Sequence, residues 1–214
     1  MIQRALHRRD QRRARGDAGL AMVEFAIVLP LLALLVGGIL EYGTLWRDNL
    51  TVTTATRAAA RVGSNLGNDY LADYEAILSL DAALATIDGF TIEGVLIYDA
   101  SATDGSPNAS CFDSAGDPKG AAGQCNYYSA AMVAAISNLD CSVSCTEFPN
   151  NATCAGGYSV NFCPVDDQVT DQSAGTTNLG VWVRIYRTYF TALFPGDGVT
   201  ITDQTVMQIE PAAT

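Results

Sequence analysis

GLAMVEFAIVLPLLALLVGGILEYG, residues 19–43, holds a run from Leu20 to Leu40 with one charge, Glu24, and one proline, Pro30. At about 1.5 Å per residue, a helix of that length covers about 31 Å, the thickness of a bilayer's hydrocarbon core. The run therefore predicts a membrane-crossing helix. Glu24 is the anomaly. A carboxylate in a membrane helix costs on the order of 2.5 to 3.5 kcal/mol at the centre and less near the interface. It either rests at the interface or meets a cationic partner when helices pack away from lipid.

Charge on the two sides of the run is opposite in sign. Residues 1–19 carry six arginines (Arg4, Arg8, Arg9, Arg12, Arg13, Arg15) against Asp10 and Asp17, whereas the whole chain has a net charge of −11. A basic segment beside an apolar run is an orientation signal that stays cytoplasmic, which puts the C-terminal part outside the membrane. The acidic C-terminal part has no basic patch for phosphate, so no nucleic-acid partner is expected. All six cysteines, Cys111, Cys125, Cys141, Cys145, Cys154 and Cys163, fall in that outer part. Their even number suits disulfides in an oxidising compartment, with the pairing left open.

Beyond the run, Leu45, Val52, Ala55, Ala59, Val62 and Leu66 recur at three-, four- and seven-residue spacings, one stripe of an amphipathic helix. A single helix from Leu20 to Leu66 is expected, weakened at Gly37, Gly38 and Gly43 enough to bend there. NDYLADYEAILSLDAALATI predicts a second helix with Asn68 or Asp69 as its cap. FTIEGVLIYDA, NLGVWVRIYRTYF and VTITDQTVMQIE read as three strands, the last two joined by the turn FPGDG at 194–198. In the second strand Val181, Val183 and Ile185 alternate with Trp182, Arg184 and Tyr186, giving one apolar face. The fold class is α+β: a long N-terminal helix packed on a small antiparallel sheet, with a disulfide-rich insertion at 100–178. That insertion is dense in turn formers and is expected to hold one short helix, NYYSAAMVAAISNL. The organisation is then a leader, 1–19, a helix, 20–66, and an extracytoplasmic head, 67–214.

Catalytic chemistry has little to work with. His7 is the single histidine and lies in the leader, so the head has no imidazole for a triad or for a histidine-containing metal site. No enzyme activity and no cofactor are expected. A zinc site from Cys141, Cys145, Cys154 and Cys163 lacks a CxxC pair, and disulfides are the better reading. DASATDG (99–105) and DDQVTD (166–171) fall short of a calcium loop and read as solvated turns. Asn49, Asn108 and Asn151 begin N-x-S/T triplets, a pattern too short to carry weight.

Cutting between Gly19 and Leu20 would give Glu24 its cation, because the new α-amino group of Leu20 lies about one helical turn away on the same helix. Gly19, then LAMV, then Glu24 and Phe25, with Val-Leu-Pro inside the run and Glu-Tyr-Gly at its end, resembles the processing site of type IV pilin-like proteins. More specifically, it is similar to the TadE-like minor pseudopilins of the tight-adherence pilus system, over 16 to about 61. VMQIEP at 206–211 resembles the terminal strand of such proteins. The resemblance implies a membrane-inserted precursor cleaved after Gly19 by a prepilin peptidase. Its helix would pack with other pilin or pseudopilin subunits in an adhesive pilus. Gly19, Leu20, Glu24 and Phe25 would be the processing residues. The competing expectation is an uncleaved single-pass envelope protein whose head binds a ligand through Tyr127, Tyr128, Tyr158 or Trp182. A secretory signal peptide fits less well, since no small-x-small site follows the run.

Overall fold

The computed structural model describes residues 2–67, 71–101, 104–121, 124–136, 178–191 and 194–209, with only the backbone for 2–18, 135 and 136. In chain order the elements are α1 (Ile2–Leu66), α2 (Ala72–Leu84), β1 (Phe90–Asp99), β2 (Cys125–Ser129), α3 (Ala130–Ile136), β3 (Asn178–Thr188) and β4 (Gly198–Gln208). A short 3-10 turn, Ala109–Cys111, precedes β2. The four strands form one antiparallel sheet in the order β2-β1-β3-β4. Contacts divide the chain into two compact units, Met1–Leu45 with Tyr189–Gly196, and Trp46–Thr188 with Asp197–Thr214.

In the larger unit the sheet carries a core cluster on each face, while β4 leaves Thr200, Thr202, Gln204 and Val206 exposed. Val95, Ile97, Val181, Val183, Ile185 and Ile201 join Val52, Ala55, Ala59 and Ala60 of α1 and Ile77, Leu80 and Leu84 of α2 in the main core. The opposite face carries Leu96, Tyr98 and Trp182, packed with Cys111 and Cys125. Strand alternation produces this split, since neighbouring residues point to opposite faces. The Cys111–Cys125 disulfide, joining residues 14 apart, closes the loop that covers the second face. Arg184 works at the margin of that face, paired with Glu93 at 3.0 Å and Asp117 at 2.7 Å.

Polar contacts set the helix against the sheet. Asp48 accepts from Arg187 Nε at 2.8 Å, both side chains being buried. The Thr56 hydroxyl donates to Asp203 at 2.5 Å and lies 3.1 Å from Thr205 Oγ1. The helix face that meets the sheet is made of small residues. A Cβ added to Gly63 would come within 2.6 Å of Leu179 Cδ2, so the glycine permits the approach.

Several expectations are corrected. Helix α1 begins at Ile2, so the leader is helical too; its Arg, Gln and Ala residues are good helix formers. The expected single helix is continuous through Gly37, Gly38 and Gly43. The buried face runs through Val52, Ala55, Thr56, Ala59, Ala60, Gly63 and Ser64, rotated away from Val62 and Leu66 toward smaller side chains. Helix α2 starts at Ala72 behind Leu71, which makes no side-chain capping bond, and Asn68 and Asp69 lie outside the described residues. The sheet has four strands rather than three, because residues 125–129 pair with β1 instead of opening a helix. Asn126, Tyr127 and Tyr128 are held there by cross-strand pairing and burial, which outweigh the helical pattern of the alanines that follow. The insertion thus adds a strand to the sheet and Tyr128 and Val133 to the main core. Of its cysteines, Cys141, Cys145, Cys154 and Cys163 lie outside the described residues.

The second core depends on one close approach. Gly180 faces Tyr98 across the β1–β3 ladder, and a Cβ at 180 would overlap the tyrosine ring. The ring has no freedom to retreat, since its hydroxyl donates to the Gly105 carbonyl at 2.8 Å. We expect Gly180→Ala to lower stability by about 1–3 kcal/mol, an overpacking cost measurable as a shift in the urea midpoint.

A buried carboxylate adds a pH dependence. Asp73 of α2 accepts from Asn126 Nδ2 at 2.7 Å and from the Tyr128 hydroxyl. Burial lifts its carboxyl from 3.8 to about 7, with the bonds from Tyr128 and Asn126 opposing the rise. Burial and the neighbouring Asp73 charge hold the Tyr128 phenol well above its ordinary range, so it remains a donor. Because the folded state favours the protonated carboxyl, Asp73's contribution to stability is fully present below about pH 4. It is lost as the pH rises through about 7. We expect urea midpoints to fall over that window, and Asp73→Asn, which cannot ionise, to flatten the fall.

Candidate assembly surface

The smaller unit is built on the apolar half of α1. Leu20, Met22, Phe25, Ile27, Leu31, Leu34, Leu35 and Ile39 are all exposed, and none of the helix's most apolar window is buried. An isolated soluble helix would turn such a surface into a core. Here it goes all the way round, which leaves lipid or other helices as its natural surroundings. By length and composition the helix is sufficient to cross a membrane. Pro30 sits inside it, where it removes one backbone donor; membrane helices tolerate this because neighbours re-satisfy the freed carbonyl.

Glu24 lies on this exposed surface, and Leu20 precedes it by one turn on the same face. Gly19 is exposed and helical, and nothing lies within 4 Å of where its Cβ would be. Gly19, Leu20, Glu24 and Phe25 are therefore together on one open stretch of helix, their side chains available to another protein.

A second carboxylate, not singled out from the sequence, is buried in this unit. Glu41 follows the apolar run directly and is 0% exposed. Its Oε1 accepts from the Phe190 N–H at 2.9 Å, and its Oε2 accepts from the Thr191 N–H at 2.7 Å and the Thr191 hydroxyl at 2.8 Å. Both oxygens are thus engaged by the segment that joins β3 to β4. Only the appearance of Glu-Tyr-Gly at the end of an apolar run hinted at this residue, because its partners are 149 and 150 positions away.

Other candidates resolve differently. Tyr128 is buried and bonded to Asp73, so it cannot reach a ligand; Tyr127 is half-buried and Trp182 packs edge-on against Phe112 at 5.4 Å. Tyr158 lies outside the described residues, as does 166–171. In the other acidic turn, Asp99 accepts from Ser101 N at 2.9 Å and Asp104 from Ser106 N at 3.0 Å, local bonds that shape the chain. Among the described residues no group of three His, Cys, Asp or Glu side chains is arranged to hold a metal ion. Asn108 caps the 3-10 turn, its side chain accepting from Ser110 N at 3.0 Å.

If the Glu41 bonds hold the β3–β4 segment, their loss must free its amides. Charge-assisted hydrogen bonds contribute about 1.5 to 3 kcal/mol each. In Glu41→Ala we expect hydrogen exchange at Phe190 and Thr191 to accelerate at least about tenfold, with amides in β1 unchanged.

Residues 19–61 match the family model of TadE-like proteins. No curated protein and no solved structure matches the chain. The match takes in the apolar run, Glu24, Glu41 and the start of the helix face that packs on the sheet. A TadE-like segment on an apolar N-terminal helix fits a component of the Tad pilus system.

Proposed function

We propose that this TadE-like chain is made as a single-pass membrane precursor, cleaved after Gly19 by a prepilin peptidase, and used as a minor pseudopilin in assembling an adhesive pilus. The observation that carries the reading is the fully exposed apolar helix that opens with Gly19, Leu20, Glu24 and Phe25 inside the TadE-like match. The arginines of 1–19 keep the leader cytoplasmic, so residues 67–214 form an extracytoplasmic head. Other pilin or pseudopilin subunits are the partners of helix 20–66, and the head's even cysteines are oxidised outside the cell.

The leader is helical up to and through the scissile bond. A peptidase must open that turn, and Gly16 and Gly19 ease this, each being less favourable in a helix than alanine by about 1 kcal/mol. Once cut, the α-amino group of Leu20 is the cation nearest to Glu24, on the same helix or on a neighbour. Neutralising each other, the two charges enter a helix bundle at less cost than either alone.

Mass spectrometry of the protein produced with its own prepilin peptidase is expected to find Leu20 as the first residue, and Gly19→Arg is expected to abolish that product. An intact Met1 terminus, or a cut near Gly43, would overturn the assignment.

A further inference from the structure

The segment between β3 and β4 is unlike an ordinary hairpin tip in water. From Tyr189 to Gly196 it has no charged residue, and it includes Tyr189, Phe190 and Phe194. Phe190 is 78% exposed and Phe194 41% exposed, with the Tyr189 and Phe194 rings 5.6 Å apart. Polar turn residues would serve a solvent-facing connection better. By its contacts the segment belongs with Met1–Leu45, not with the strands that it joins.

Glu41 explains that placement. It is the residue after Leu40, where the apolar run ends, and it holds the amides of Phe190 and Thr191. Phe190 is therefore fixed at the level at which the run gives way to polar sequence. Tyr42, 66% exposed, is at the same level. Aromatic rings at the end of an apolar span suit the headgroup region of a bilayer, where the amphipathic rings of Tyr and Trp concentrate; Tyr42 and Tyr189 supply such rings beside Phe190 and Phe194, whose exposed apolar rings gain by leaving water. The Glu41 charge does not oppose this, because both its oxygens are satisfied internally.

We infer that Phe190 and Phe194 form an anchor seated in the headgroup region of the bilayer, with Glu41 as the residue that positions it. The inference rests on the proposed membrane span of helix 20–66. The occupant is lipid because the aromatic tip is continuous with the lipid-facing surface of that span. A second copy of the chain at this place is the alternative that the experiment excludes.

Trifluoromethylphenylalanine placed singly at position 190, 194 or, as a mid-span reference, 32 reports its surroundings by fluorine NMR in the full chain. The chain is reconstituted in nanodiscs of phosphatidylethanolamine and phosphatidylglycerol. Lipids with a nitroxide near the glycerol are expected to relax the probes at 190 and 194 at least about threefold more than an aqueous gadolinium chelate does. Lipids with a nitroxide near the chain end are expected to relax the probe at 32. Glu41→Ala is expected to reverse the preference at 190, and Glu41→Gln, which keeps one acceptor oxygen, to fall between. Relaxation of 190 and 194 mainly by the chelate overturns the anchor, as does protection from both agents, which would put another protein chain there. If lipid relaxes position 32 but not 190, the anchor alone fails. If lipid does not relax position 32, the span fails and the anchor with it.

Discussion

The packing of a small-residue helix face on the sheet is the contact on which the head depends. Val52, Ala55, Ala59, Ala60 and Gly63 have little bulk, so α1 lies close enough to the strands for the Gly63 backbone to face Leu179 directly. Small residues forgo area that Leu or Ile would bury, but they gain close backbone approach and leave little room for alternative rotamers. Apolar contact alone does not select a register along such a face. The Asp48–Arg187 pair does, because sliding the helix by a turn would leave a buried charge without its partner, a loss of about 3–5 kcal/mol. Thr56 with Asp203 and Thr205 repeats the constraint two turns further along.

Much of this was legible in the sequence where a pattern is local. The three expected strands are found within two residues of their expected ends, and α2 where its apolar spacing puts it. The departures share one cause, that the deciding contact is distant. Asn126 to Tyr128 lie before an alanine-rich stretch that reads as helix, yet Tyr128 pairs with Val95 and bonds to Asp73. Of the expected stripe on α1, Val52, Ala55 and Ala59 are on the buried face, whereas Val62 and Leu66 give way to Ala60 and Gly63, because the sheet selects the side of the helix that allows the closest approach.

The same asymmetry governs the candidate site. Glu24 stands out in the sequence because its neighbours are all apolar, and the structure leaves it exposed on the helix. Glu41 does not stand out, since a charge where an apolar run ends needs no explanation. Only the fold reveals that it is fully buried and bonded through both oxygens to a segment almost 150 residues later. Two glutamates at opposite ends of one apolar run thus face opposite conditions: Glu41 has its partners within the chain, and Glu24 is exposed on the helix surface.

Under the proposed function, that difference bears on how a single helix would serve first in lipid and then among subunits. The aliphatic side chains on the run gain little by exchanging lipid tails for other side chains, because both surroundings are equally apolar. They therefore permit the transfer without driving it. A carboxylate whose charge is already satisfied, as at Glu41, is equally indifferent. Glu24 is not, since its cost in lipid is relieved only where a cation becomes available. In the proposed assembly, processing creates that cation on every subunit, at the end of the helix next to Glu24. The driving force for leaving the bilayer is then concentrated on one residue, and the rest of the run supplies a surface that fits either environment.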